Sequence, residues 1–254
     1  MSKKVIIVGS GLGGLSCGFI LAKNGYEVTI LEQNAQIGGC LQCFSRKGVK
    51  FETGMHFIGS ASEGQTLNRL LHYLAVLDDV CLSQLDTGGY DVVSLDGKIY
   101  KFANGRERFV NQMAEYFPAE RDNLKKYFNI VESVANASSF HSLKHSHDES
   151  ALSMEYQLRS INDVISSVIG DPLLCNVLAG NLPLYAAERD KTPFSTHAFV
   201  MDFYNQSAYR VVDGSDNIAF SLARSIKNMG GRILTSHKVV EIVCDETHAI
   251  GVKT

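Results

Sequence analysis

Val5-Ile6-Ile7-Val8-Gly9-Ser10-Gly11-Leu12-Gly13-Gly14-Leu15 is the stretch from which the rest of the chain is read. Four consecutive β-branched residues suit a strand buried on both faces of a parallel sheet, and the run ends abruptly in glycines. Beyond them Leu12, Leu15, Phe19 and Ala22 fall on one helical stripe, with Gly25 as the C-terminal stop. Val28-Thr29-Ile30-Leu31 then reads as a second buried strand. Strand, helix and strand in about 30 residues make a βαβ unit, whose crossover is almost always right-handed.

Gly9-x-Gly11-x-x-Gly14 lies between a predicted strand and a predicted helix, the context in which this pattern carries chemistry. Gly9 permits the tight turn, Gly11 lets backbone approach a pyrophosphate, and Gly14 lets helix and strand pack closely. Ser10, Leu12 and Gly13 complete the loop, so that phosphates meet free N–H groups at a helix N-terminus. Glu32, followed by Gln33, ends the second strand. A carboxylate there accepts both ribose hydroxyls of a dinucleotide and repels a 2′-phosphate.

The chain of 254 residues is 45% hydrophobic and 20% charged with a formal net charge of −3, values of a globular protein with a sizeable core. That balance excludes a disordered chain and argues against nucleic-acid binding, which needs a basic face. No apolar run approaches the ~18–20 residues of a spanning helix. The stretch from Val5 to Leu31 is broken by Gly9, Gly11, Gly13, Gly14, Lys23 and Glu27. Met1-Ser2-Lys3-Lys4 leads into a glycine turn rather than a signal sequence, and Cys17, Cys40, Cys43, Cys81, Cys175 and Cys244 are too scattered for a disulfide framework. The expected setting is the cytoplasm, with peripheral membrane contact and oligomeric state left open.

After Glu32 come a polar loop, Gly38-Gly39, and a hairpin-like stretch from Cys43 through Lys47-Gly48 to Phe51. The periodicity is helical from Leu67 to Leu77. Tyr90 to Leu95, Asp96-Gly97 and Ile99 to Phe102 predict a β-hairpin. Helices are predicted from about Arg106 to Tyr116 and from about Arg121 to Ala135, and Ser138 to Ser150 reads as a mobile surface loop. Residues Ile161 to Ala187 read as buried helices. The end of the chain predicts a helix from about Asp216 to Met229, then strands at Arg232 to Thr235, Val239 to Cys244 and around Ile250-Gly251-Val252.

A second glycine pair six residues past the acid decides between dinucleotides, and here the chain resembles a known family. Gly38-Gly39-Cys40-Leu41-Gln42-Cys43-Phe44-Ser45, followed by Glu52-Thr53-Gly54-Met55-His56, resembles the flavin-binding segment of the retinol saturases (all-trans-retinol 13,14-reductases), phytoene desaturases and carotenoid isomerases. Tyr209 to Ser215, Gly230-Gly231, Val239-x-x-Ile242 and Gly251-Val252 extend it. The resemblance implies an α/β fold: a Rossmann-like FAD-binding domain in two segments, 1–60 and 205–254, around an inserted α+β substrate domain at 61–204. It implies FAD as cofactor, contacts to it from Gly38, Gly39, Cys40, Gly54, Met55 and His56, and backbone contact to adenine at Val239. It also implies redox chemistry at C=C bonds of an apolar polyene or isoprenoid, by saturation, desaturation or isomerisation. Relatives run to roughly twice this length, so the chain is expected to correspond to their first half.

Other readings stand beside this one. His56 either donates a proton near the flavin or bonds to backbone or cofactor, and it is the candidate catalytic residue. An amine-oxidising flavoprotein of the same fold and a catalytically silent FAD-binding remnant are the alternatives. Cys40-x-x-Cys43 has no second pair to complete a zinc site. His141, His145, His147 and Asp148 read as solvated loop residues, so no metal is expected. Ser10, Ser16 and Ser45 belong to no nucleophile elbow.

Overall fold

The computed structural model describes residues 3–143 and 149–254. Strand β1 (Lys4–Val8) leads through helix α1 (Leu12–Lys23) to β2 (Glu27–Leu31), and then come the hairpin strands β3 (Cys43–Arg46) and β4 (Val49–Glu52). β5 (Ile58–Gly59), α2 (Thr66–Tyr73) and β6 (Leu82–Gln84) precede a second hairpin, β7 (Asp91–Leu95) and β8 (Lys98–Phe102). A helical stretch follows: α3 (Arg106–Tyr116), α4 (Arg121–Asn136), α5 (Ser139–Ser142), α6 (Glu149–Leu158), α7 (Ile161–Val168), α8 (Pro172–Leu178) and α9 (Phe194–Gln206). β9 (Ala208–Val211), α10 (Asp216–Asn228), β10 (Arg232–Leu234), β11 (Glu241–Cys244) and β12 (Ala249–Lys253) complete the order. Contacts divide the chain into one unit of residues 1–57, 69–83 and 210–254 and another of residues 58–68 and 84–209.

In the first unit β1, β2 and β10 form a parallel sheet in the order β1-β2-β10, with Val5 opposite Val28 and Ile233 opposite Ile30. Helices α1 and α10 cover one face. A Cβ on Gly18 would stand 2.8 Å from Ile30 Cδ1 and 3.3 Å from Ile226 Cδ1, so glycine lets α1 lie close on both sheet and α10. Leu15, Phe19, Val28, Ile30, Leu222 and Ile226 form the core there. The expectation that β1 is buried on both faces is corrected: Ile6 is 45% and Val8 55% exposed. Their face opens on a groove of about 510 Å³ beside hairpin β11–β12, whose Ile242 and Ile250 are exposed too. Leu12 also leaves the predicted stripe, because it sits at the exposed start of α1.

The second unit is mainly helical. α4 packs against α3 and α9, and rings fill the space between: Phe102 meets Phe109 edge-on at 5.1 Å, Phe109 lies 4.8 Å from Phe128, and Tyr127 meets Phe194. Such pairs add to stability beyond the area they bury. β5 pairs antiparallel with the start of β9, Ile58 opposite Tyr209. There Gly59 is required, since a Cβ would come within 2.6 Å of the Phe203 backbone.

Two sequence expectations change in this unit. The supposed loop Ser138 to Ser150 contains α5, and its His141 is buried rather than solvated: its Nε2 lies 2.6 Å from Asp202 Oδ2, and Gln206 donates to the same oxygen. His145, His147 and Asp148 lie outside the described residues. Helix α9 was not anticipated at all. Among the described residues no helix is long and apolar enough to cross a membrane, and no group of three metal-ligating side chains comes together.

Candidate functional site

The three glycines of the first turn differ in what holds them. Gly9 has φ +93°, a left-handed backbone that favours glycine. Gly14 has no room, since a Cβ would stand 2.1 Å from the Gly9 carbonyl oxygen. Gly11 has neither constraint: its φ is −65°, and a Cβ would meet nothing within 4 Å among the described residues. The fold thus explains Gly9 and Gly14 by itself, whereas Gly11 keeps a space clear in front of the backbone. Gly13 likewise faces open space.

Gly11 is the N-cap of α1 and its carbonyl accepts from the Leu15 amide. No acidic residue stands in the first turn and no side chain caps it, so the first amides of the helix and the positive end of its dipole face that space. The second glycine pair closes on the same turn. The Gly38 amide donates to the Ser10 carbonyl at 2.9 Å, Gly38 pairs with Gly11 as an isolated parallel bridge, and a Cβ on Gly39 would come within 3.1 Å of Gly11 Cα. Gly38 and Gly39 both have positive φ, +112° and +56°. Two glycine motifs 24 residues or more apart in sequence therefore form one backbone cradle, which fits the pyrophosphate of a dinucleotide.

Glu32 stands beside this cradle and is 5% exposed. Its Oε2 accepts from the Ser10 amide at 2.9 Å and the Ser10 hydroxyl at 2.6 Å, and its Oε1 accepts from the Asn34 amide at 2.9 Å. Burial pushes the carboxyl up, but the Ser10 hydroxyl and the amides of Asn34, Ser10 and Gln33 outweigh it and hold the group below its usual value. The anion therefore persists at neutral pH. Two bonds engage Oε2 and one engages Oε1, so Oε1 is the oxygen better placed to accept a ribose hydroxyl. The Glu32 amide and carbonyl bond to Leu234 and His237, which brings the segment leading to Val239 alongside the acid. Gln33 is exposed and Val239 half-buried.

The Glu52-x-Gly54-x-His56 segment reaches the cradle through its neighbours. The Thr53 amide and hydroxyl both donate to the Gln42 carbonyl, and a Cβ on Gly54 would stand 3.0 Å from the Cys40 carbonyl oxygen. Met55 is half-buried and His56 exposed. The cysteines of the pair are free thiols in different surroundings: Cys40 is exposed, and Cys43 is buried 3.5 Å from Ser215 Oγ.

Sequence reasoning missed the residues that tie the α10 end to this segment. Ser215 Oγ donates to the Leu41 carbonyl at 2.9 Å, and Lys50 Nζ donates to Asp216 Oδ1 at 2.6 Å and to the Asp213 carbonyl at 2.7 Å. Asp216 holds the Lys50 ammonium above its ordinary pKa. Asp213-Gly214 is a left-handed turn, φ +62° and +104°, against which Lys50 packs. The only sequence signal was the Asp-Gly-Ser run ahead of a helix.

Residues 7–74 match the family described as NAD(P)-binding Rossmann-like domain. The chain is 32% identical to the all-trans-retinol 13,14-reductase of Rattus norvegicus, over 94% of this chain and 42% of that protein. It is 24% identical to prolycopene isomerase 1, chloroplastic, of an Oncidium hybrid cultivar, over 98% of this chain and 45% of that one. A crystal structure of a Pyrococcus furiosus protein superposes with a TM-score of 0.63 at 22% identity, covering 94% of this chain and 53% of the other. The fold is thus α/β and Rossmann-like, and the chain spans less than half the length of the curated relatives it matches.

Proposed function

We infer the function of this chain from its kinship: it is related along nearly its whole length to the all-trans-retinol 13,14-reductases and the prolycopene isomerases. On that reading it binds FAD and serves an oxidoreductase that acts on C=C bonds of an apolar polyene or isoprenoid. The observation that carries the cofactor part is Gly11, a glycine required neither by its φ nor by any neighbour among the described residues, where the first amides of α1 have no intrahelical partner.

The residues present fit such a group. Gly11, Leu12 and Gly13 at the start of α1 would hold the pyrophosphate through backbone N–H groups, and Gly38, whose own amide is spent on the Ser10 carbonyl, would with Gly39 leave room for it as side-chain-free backbone. Glu32 would accept a ribose hydroxyl, and the backbone at Val239 would contact the adenine. Cys40, Gly54, Met55 and His56 would line the flavin end, where His56 would orient the ring or hold a proton. When bound, FAD supplies two-electron redox chemistry, and the protein's task is to place it and keep water from it.

The visible absorption spectrum of the purified chain, with the released cofactor identified by chromatography, tests this. A flavin spectrum and FAD in the extract support the reading, and bleaching or reoxidation on adding a polyene under anaerobic conditions extends it to the substrate class. A nicotinamide dinucleotide in the extract, or a chain that stays colourless after incubation with FAD, overturns it.

A further inference from the structure

We propose that Ser10 is a positioning residue: it locks the Glu32 carboxylate so that one acceptor corner, on Oε1, is presented to the unphosphorylated ribose of the bound dinucleotide. This rests on the FAD reading for the identity of the ligand and on geometry for the lock.

Ser10 belongs to the loop expected to meet the phosphates, yet its side chain serves the acid at the end of β2. Ser10 is fully buried, and both its hydroxyl and its amide are spent on one oxygen of Glu32. Its carbonyl accepts from Gly38, so this one residue joins the first glycine turn, the second glycine pair and the acid at the end of β2. With Oε2 saturated and the Asn34 amide on Oε1, the carboxylate cannot rotate without breaking at least two hydrogen bonds. Bonds to an ionised acceptor are the strong ones, and leaving a buried donor unmade is expensive. The anion is therefore held in one orientation before any ligand arrives, which lowers the ordering cost of binding. A 2′-phosphate meets that fixed negative charge at close range and is refused.

Ser10→Ala removes the hydroxyl, leaves the backbone bond, and creates no larger side chain. In calorimetry, Ser10→Ala is expected to weaken binding of FAD and of ADP-ribose about tenfold. In a Glu32→Gln background the same substitution is expected to change affinity less than about twofold, because it acts through the carboxylate. The ligand-free chain gives a second readout: in NMR of 13C-labelled glutamate carboxyls, Ser10→Ala should move the Glu32 titration midpoint upward. Equal losses in both backgrounds would show that Ser10 merely shapes the turn, and an unmoved midpoint would show that its hydroxyl does not hold the acid. Either result overturns the proposal. A wild-type chain that takes up neither FAD nor ADP-ribose overturns the FAD reading and the ribose assignment with it, while the titration still decides the lock.

Discussion

Gly11 and Gly14 look alike in the sequence and behave as opposites in the structure. Gly14→Ala forces a Cβ to within 2.1 Å of a carbonyl oxygen and should destabilise the first unit by about 1–3 kcal/mol or more, measured by urea denaturation. Gly11→Val meets open space at an ordinary φ. It should leave the urea midpoint nearly unchanged and abolish cofactor retention, and normal FAD binding by that variant would mean the cradle is misplaced. Glu32→Ala should weaken ribose binding by about 1–3 kcal/mol and leave the buried Ser10 hydroxyl without its acceptor. Both glycine motifs and the acid were legible in the sequence because each has a local backbone or end-of-strand role. The service of Ser10 to Glu32 was not, since nothing in a Gly-Ser-Gly turn tells which way a hydroxyl points.

At the level of elements, hairpin β3–β4 is tied to the turn before α10 by Lys50, whose partner Asp216 is buried while Lys50 itself is about two-fifths exposed. Lys50→Met should lower stability by about 1 kcal/mol, and the difference from wild type should shrink in molar salt, since a partly exposed pair is screened. An unchanged urea midpoint at low salt would show the tie to be idle. Helix α9 shows why the sequence left an element out. Its buried positions, Phe194, Ser195, His197, Ala198, Met201, Asp202 and Asn205, have helical spacing, but four of the seven are polar. An apolar stripe is therefore absent. Three of the polar ones are admitted to the interior by partners outside the helix: Tyr127 and Tyr185 for His197, His141 for Asp202, the Ala103 carbonyl for Asn205. In β1 the failure was the reverse. Four apolar residues in a row carry no period of two, so a half-open strand and a fully buried one read the same.

For the molecule as a whole, His197 sets a pH limit on the second unit. It is fully buried, with Tyr127 Oη 2.8 Å from Nε2 and Tyr185 Oη 2.7 Å from Nδ1, and burial lowers its pKa to about 3. Burial also raises both tyrosines, so the trio stays uncharged through neutral pH. Below the ordinary histidine value of about 6.5 the unfolded chain takes up a proton that the folded one refuses. Stability should therefore fall with pH by up to about 1.4 kcal/mol per unit until near pH 3. His197→Gln should be less stable at neutral pH and flatter below pH 6.5 in urea titrations, and an acid slope equal to wild type would remove His197 as its source.

What the sequence by itself determined is the βαβ order, the glycine turn, the acid at the end of β2 and the second glycine pair. These follow from the periodicity of neighbouring residues and from the conformational freedom of glycine, which act within a few residues. Tertiary structure decided which polar groups lie inside, which face of β1 stays open, and which oxygen of Glu32 is the more heavily bonded. Each of those depends on a hydrogen-bonding or packing partner brought close only by the folded chain, and the energy of burying a polar group has no sign until that partner is in place.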